Sequence, residues 1–391
     1  MFYSECCCYL LTENHLLQFL HTQCAMIFFI IFNCMGRIWY TARKEGAVSI
    51  GIVQERAHWL VTGAAGFIGS NIVEALLVNG QTVVGLDNFS TGHRENLKLI
   101  QRAIGANAWS RFRFIEGDIR DLDVCREACR GARYVLHQAA LGSVPLSIKD
   151  PVTTTAVNVD GFVNILVAAK EARVSRVVYA SSSAVYGDAP ELPKIEDHIG
   201  KSLSPYATTK RSNELYADAF GSCYAMEIIG LRYFNIFGPR QDPEGAYAAV
   251  IPKWFGAFLS DDTVRINGDG EISRDFCFVD NAVQANLLAA LSRNPVAPGN
   301  VFNVACGQRI TLNELFRIIR DLVATHFPQA AGRQPEYGPE RAGDIHHSLA
   351  DVSRARDVLG YLPTVAVQEG LQRVADWYWT HWGAQKGHVP Q

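Results

Sequence analysis

"HWLVTGAAGFIGSNIVEALLVNGQTVVGLDN", His58 to Asn88, decides the fold. "HWLVTG" reads as a strand, "FIGSNIVEALLVNG" as a helix closed by Gly80, and "TVVGLDN" as the next strand. Between strand and helix, Gly63, Gly66 and Gly69 are spaced GxxGxxG. Glycine lets the backbone turn tightly and approach a pyrophosphate, whose charge the helix N-terminus then holds. The strand before and the helix after raise this from a plain glycine turn to a dinucleotide site.

An acid at the end of the second strand completes the pattern. Asp87, 24 residues beyond Gly63, is placed to accept hydrogen bonds from adenosine ribose hydroxyls, and its charge favours NAD over NADP. The plainer role for Asp87 is an Asx turn within "DNFST". Further strands follow at "RFRFIEGD", "ARYVLHQAA", "SRVVYASSS" and "EIIGLRYFNIFG", with helices between them, including a long one around 158–172. Asp118 and Ile119, after the third strand, fall on the adenine side. Such alternation predicts α/β: a Rossmann-type doubly wound parallel sheet with a smaller mixed C-terminal substrate domain. The expected division is an atypical extension over 1–50, an NAD-binding domain over 57–238, and a substrate-binding domain mainly over 239–385. Some segments of the last are expected to return to the main sheet. It also holds a helix near 282–292 and "RITLNELFRIIRDLV", opened by a Thr cap.

The 391 residues, 48% apolar and 19% charged, suit one large or two medium enzyme domains. A net charge of −3 with no basic block argues against a nucleic-acid partner. Five of the ten cysteines lie in the first 34 residues; the others lack metal-ligand spacing, so the body reads as a reduced, cytoplasmic protein without a metal. Cys125 and Cys129 share a helix face, as buried small side chains. In the extension, "AMIFFIIF", 25–32, is too short for a clear membrane span, and no Lys or Arg precedes it as a signal peptide would require. Three readings stand: an upstream start not used in the cell, with Met26 and Met35 as alternatives; a loose or membrane-touching extension; or an anchor.

"SPYATTKRSNELYADAF", 204–220, puts Tyr206 and Lys210 four residues apart on one helical face. Alone, such a pair is a weak motif. Together GxxGxxG, "SSSAVYG" and "YATTK" resemble the extended short-chain dehydrogenase/reductase superfamily, over 59 to about 379. More narrowly, "LDNFSTGHRENL", "HQAALGSVP", "LRYFNIFGPRQDPEGAYAAVIPKW", "INGDGEISRDFC" and "RAGDIHHSLADV" resemble bacterial UDP-N-acetylglucosamine 4-epimerases that serve surface-polysaccharide synthesis.

That resemblance implies the chemistry. Inverting a carbinol carbon that has no acidic proton needs oxidation to a 4-ketone and return of hydride to the other face. Tyr206 is implied as the base, its phenolate favoured by the Lys210 ammonium and a positive nicotinamide. Lys210 also holds the nicotinamide ribose, and Ser182 bridges the sugar's 4-hydroxyl to Tyr206. Phe67, Ile68, Asn88, Gln138, Ala139 and Ala140 join the glycines, Asp87, Asp118 and Ile119 against NAD. For the UDP-sugar the implied contacts are Gly142, Ser143 and Ser183 near the hexose; Gln241, Ala249 and Val250 in the "GPRQDPEGAYAAV" stretch; and Asn235, Arg240, Arg274 and Arg341 at the pyrophosphate. Asp344 orients Arg341 or touches the substrate.

The superfamily's dehydratases and decarboxylases carry acids just after the catalytic hydroxyl. Here those positions are Ser183 and Ala184, neither of which can do acid/base work at carbon 5 or 6. Ser348 stands where glucose-restricted epimerases keep a bulky aromatic, leaving room for an N-acetyl group. The expected enzyme is thus an NAD-dependent epimerase of UDP-GlcNAc and UDP-GalNAc, or of their uronic forms. It is expected to be a homodimer that uses the Tyr206 helix, with no firm membrane partner. The alternatives are a broad UDP-glucose 4-epimerase and a silent NAD-sensing binding protein. His137, His346 and His347 receive no role.

Overall fold

In the computed structural model the described residues are 38–42, 48–52, 56–245, 248–340 and 347–383. The apolar run at 25–32 lies outside them. Two compact units are present, 1–55 and 56–391. In the first, β1 (Ile38–Ala42) pairs antiparallel with β2 (Val48–Ile52).

The second unit is built on β3 (His58–Thr62), β4 (Thr82–Asp87), β5 (Phe112–Glu116), β6 (Tyr134–His137), β7 (Arg176–Ser182) and β8 (Ile228–Tyr233). With β13 (Val301–Val304) they form a seven-stranded sheet in the order β13-β8-β7-β6-β3-β4-β5, every pairing parallel. This is the doubly wound Rossmann-type α/β fold. Its strand order reverses between β3 and β6, and in such sheets the crevice beyond the carboxyl ends at that point takes the ligand.

Helices α1 (Phe67–Val78), α2 (Arg94–Trp109), α3 (Leu122–Cys129), α4 (Val144–Lys149), α5 (Pro151–Glu171) and α6 (Pro205–Tyr224) flank the sheet. The long helix starts at Pro151, seven residues before the expected Asn158, because Asp150 caps it by accepting from Thr153 N–H at 3.0 Å. Among the described residues α5 alone is long and apolar enough to cross a membrane, yet Phe162, Ile165, Leu166 and Ala169 are buried with Leu60, Val135 and Val177. Burying each such large side chain contributes roughly 1.5 to 3 kcal/mol.

The stretch expected as one strand from Glu227 to Gly238 is two. Asn235 takes a left-handed backbone (φ 39°), which ends β8 and starts β9 (Ile236–Phe237) in a new direction, parallel to β12 (Cys277–Phe278). The remaining short strands are β10 (Arg265–Asn267) with β15 (Glu336–Gly338), and β11 (Ser273–Arg274) with β14 (Ile310–Thr311). A second apolar cluster forms here among α7 (Val250–Leu259), α8 (Val279–Leu291), α9 (Leu312–Ala324) and α11 (Val367–Tyr378), the last preceded by α10 (Ser353–Leu359). Helix α9 opens with a complete capping box between Thr311 and Glu314.

Candidate active site

At the switch point the chain comes too close for side chains. Gly63 is left-handed (φ 67°), and a Cβ there would lie 2.8 Å from Ala139 N at the end of β6. A Cβ at Gly69 would sit 2.0 Å from the Gly63 carbonyl oxygen. The result is a backbone cradle that only glycine permits. Gly66 caps α1 without a side-chain acceptor, so the first-turn N–H groups after it, at Phe67 and Ile68, have no capping side chain. This open helix start at the switch point fits a pyrophosphate.

Asp87 is 8% exposed and accepts from Ala65 N–H at 2.9 Å and Phe89 N–H at 2.7 Å. The Asx turn is therefore present, and the same carboxylate ties the glycine loop to β4. Asn88 donates to Asp118 at 2.8 Å, which brings those two sequence candidates together. Hydrogen bonds from Arg120 hold the Asp118 carboxyl down at about 2. Ile119 is buried, its carbonyl accepting from Asn164. Gln138 is turned inward: its amide donates to Asn286 and accepts from Tyr233, both at 3.0 Å. Its side chain is committed to that network, unlike the backbone of Ala139 and Ala140 beside it.

The second centre lies where β7 meets α6. Ser204 caps α6 by accepting from Ala207 N–H at 3.1 Å, and Ser147 on α4 accepts from Tyr206 N–H at 3.0 Å. Those anchors place Tyr206 beside Ser182, near enough for the serine hydroxyl to bear on the phenol's titration. One turn on, Lys210 is 4% exposed and donates to the Ala180 carbonyl at 2.8 Å.

The electrostatics differ from the sequence-based expectation. Burial pushes the Tyr206 phenol above its ordinary value, with the Ser182 hydroxyl opposing it. Burial likewise pulls Lys210 down to about 8. Its ammonium is aimed at Ala180, 5.9 Å from the Tyr206 ring centre. The outcome is a phenol above its ordinary value even with Lys210 one turn away. His137 is buried and bonded to the Thr62 hydroxyl; desolvation and the Lys210 charge hold it down at about 3.

Beneath the pair lies a network that spacing did not reveal. Glu214, one turn beyond Lys210, accepts from Ser181 at 2.7 Å and from Arg232 at 2.8 and 2.9 Å. The only sequence signal was its helical register with Lys210.

On the other side, Asn235, Arg274 and Ser348 are gathered around Asp275. Asn235 donates to the Asp275 carbonyl at 2.9 Å, Ser348 N–H to the Ser273 carbonyl at 3.0 Å, and Ala350 N–H to the Asp275 carboxylate at 3.2 Å. Arg274 directly precedes Asp275 on the chain. Burial raises Asp275 to about 7 against the backbone N–H groups of Ala350, Cys306 and Gly307. Ser143 caps α4 beside exposed Gly142, and Ser183 opens the turn after β7. Ala249 and Val250 start α7 with no capping side chain. Gln241 donates to the Ile236 carbonyl at 3.3 Å.

Arg240 is placed differently from its expected position at the pyrophosphate of UDP. Its guanidinium meets α1: Ser70 at 3.0 Å, Asn71 at 2.6 Å and Glu74 at 2.7 Å. The left-handed backbone at Arg240 (φ 69°) aims the side chain there. Arg341 and Asp344 lie outside the described residues. Among the described residues no group of three or more His, Cys, Asp or Glu could hold a metal ion.

Residues 59–305 match the NAD dependent epimerase/dehydratase family. The chain is 38% identical over 321 residues to a UDP-glucose 4-epimerase of Mycolicibacterium smegmatis, covering 82% of this chain and 97% of that protein. Among solved structures, it is similar to the UDP-N-acetylglucosamine 4-epimerase of Methanobrevibacter ruminantium in complex with UDP-N-acetylmuramic acid. There the TM-score is 0.76 at 38% identity, with 84% and 99% of the two chains covered. It is also similar to a UDP-glucuronic acid 4-epimerase mutant of Bacillus cereus bound to a fluorinated UDP-sugar and NAD, with a TM-score of 0.72, 28% identity and coverage of 82% and 98%. The protein belongs to the NAD dependent epimerase/dehydratase family. Its cofactor is NAD.

Proposed function

We propose that this protein is a UDP-N-acetylhexosamine 4-epimerase, interconverting UDP-GlcNAc and UDP-GalNAc or their uronic forms through a 4-ketone. The observation that carries the reading is the meeting of Tyr206, Ser182 and Lys210 at the switch-point end of the sheet, with Ser183 and Ala184 in place of an acid. Bound NAD supplies the hydride acceptor and donor. The glycine cradle and the start of α1 hold its pyrophosphate, Asp87 its adenosine ribose, and Lys210 its nicotinamide ribose. The Tyr206 oxygen takes the proton of the 4-hydroxyl and later returns it, and Ser182 orients that hydroxyl. Burial disfavours the phenolate, and the Ser182 hydroxyl opposes that effect.

On this reading residues 57–238 carry the cofactor and 239–385 most of the UDP-sugar wall. Asn235, Arg274 and Ser348 form that wall, and the small Ser348 side chain leaves room at carbon 2. Arg341 and Asp344 are assigned to the same wall from the sequence alone. The 38% identity to a UDP-N-acetylglucosamine 4-epimerase supports the N-acetyl choice. Equal identity to a UDP-glucose 4-epimerase favours the second reading, a broad hexose epimerase. Exposed Ile148, Val152 and Leu215, on α4, α5 and α6, support a homodimer through the Tyr206 helix. The protein is assigned to the cytoplasm.

The test incubates the purified protein, without added NAD, with UDP-GlcNAc, its uronic form and UDP-glucose separately, following sugar configuration by proton NMR. Conversion of an N-acetyl substrate is the expected result. Conversion of UDP-glucose alone would establish the second reading, and no conversion even with NAD supplied would refute both.

A further inference from the structure

We infer that Arg240 is a positioning residue for NAD, clamping the cofactor helix to the substrate-side turn. This inference rests on the cofactor reading above and departs from the expected role at UDP.

Arg240 is 9% exposed, so its guanidinium is spent on partners inside the protein. Its partners among the described residues, Ser70, Asn71 and Glu74, all sit on α1. The clamp reaches the phosphate-facing turn itself. Ser70 Oγ, which accepts from Arg240, donates in turn to the Phe67 carbonyl at 3.0 Å, at the first position of the helix. Asn71 closes the clamp from the other side, donating to the Phe67 carbonyl at 2.9 Å and to the Pro239 carbonyl at 3.2 Å. The Phe67 ring packs against the second apolar cluster, which contains Phe237 and Val279. A Cβ at Gly238 would meet Val279 at 2.5 Å, so that turn is held close by packing as well as by charge.

The left-handed backbone at Arg240 persists because these contacts over-determine it. The same turn follows Asn235 and precedes Ala249, both assigned to the UDP-sugar. The helix start that receives the pyrophosphate is therefore tied to the turn on the substrate side by the Arg240 guanidinium, with the Asn71 amide and the packing at Gly238 beside it. An arginine is needed because a planar fork serves several acceptors at once, whereas an ammonium is a point charge.

The test compares the wild-type protein with Arg240→Met and Arg240→Lys, measuring the Kd for NAD and, separately, the Kd for UDP by calorimetry on cofactor-stripped protein. Arg240→Met should weaken NAD by tenfold or more and UDP by less than twofold, its retained UDP affinity showing an intact fold. Arg240→Lys, keeping charge opposite Glu74 but not the fork, should fall between. If Arg240→Met fails to fold, Ser70→Ala removes one acceptor from the helix side and should weaken NAD at least threefold with UDP unchanged. Weakened UDP with unchanged NAD would overturn the clamp and return Arg240 to the pyrophosphate. Unchanged affinity for both would also overturn it. A wild-type protein that binds UDP but not NAD would instead overturn the cofactor site, and the clamp with it.

Discussion

Replacing Glu214 by Ala should cost about 3 to 5 kcal/mol, because it strands a buried guanidinium. The Glu214 and Arg232 side chains are each 2% exposed and bonded in a bidentate pair at 2.8 and 2.9 Å. Without Glu214, Arg232 keeps only neutral neighbours at bonding distance among the described residues: the Glu196 carbonyl at 2.7 Å and the Tyr186 ring centred 4.9 Å away. Such a loss is a large share of the roughly 5 to 15 kcal/mol that stabilises a typical protein. Urea unfolding with a slope near 3 kcal/mol/M would show it as a fall in midpoint of about 1 M or more. The double variant Glu214→Leu with Arg232→Met should recover most of that loss, since well-packed apolar side chains replace a buried pair at little cost. A single substitution costing under about 1 kcal/mol, or a double variant costing the sum of both singles, would refute the reasoning. Acid should act in the same direction. Burial alone would raise the Glu214 carboxyl, but Arg232, Ser181 and Arg211 more than reverse it, leaving it below its ordinary value. The stability it contributes is therefore present above the ordinary carboxylate value and is lost as pH falls through the folded one.

Gly69→Ala should remove retained NAD, measured by absorbance after denaturation, because its Cβ would stand 2.0 Å from the Gly63 oxygen. Tyr206→Phe should lower kcat by about a hundredfold or more while leaving NAD bound, a loss in the range of general acid–base catalysis. With Lys210 held at about 8, its ammonium is lost as pH climbs through that value, so kcat/KM should fall on the alkaline side near pH 8; a flat profile to pH 10 would remove Lys210 from the reaction. Ser348→Tyr should abolish turnover of N-acetyl sugars and spare UDP-glucose, followed by the same NMR assay; equal loss of both would refute the pocket at carbon 2.

Local geometry was the legible part of this molecule. The glycine spacing at Gly63, Gly66 and Gly69 announces a backbone shape, and a backbone shape needs only its own residues. The Thr311 cap and the Tyr206–Lys210 register are local in the same sense, because a helix repeats within a few residues. The break at Asn235 was missed: a near-continuous apolar run flanks it on both sides, and its left-handed backbone shows that the strand ends.

Side-chain direction over long separations was illegible. Arg240 and Ser70 are 170 residues apart, and no spacing rule connects them, so a phosphate ligand and a helix clamp read alike in one dimension. The Ser181–Glu214–Arg232 network joins two strands and a helix for the same reason. So too the phenol's titration: a Lys four residues away predicts a lowered value, but packing decides how much water remains and where the ammonium points. By itself the sequence determined the switch-point sheet, the glycine cradle and the Tyr–Lys register, all set by short-range backbone geometry. Only the tertiary structure decided which arginine meets α1, which carboxylates are buried and how the Tyr206 phenol titrates, because these depend on groups that folding alone brings together.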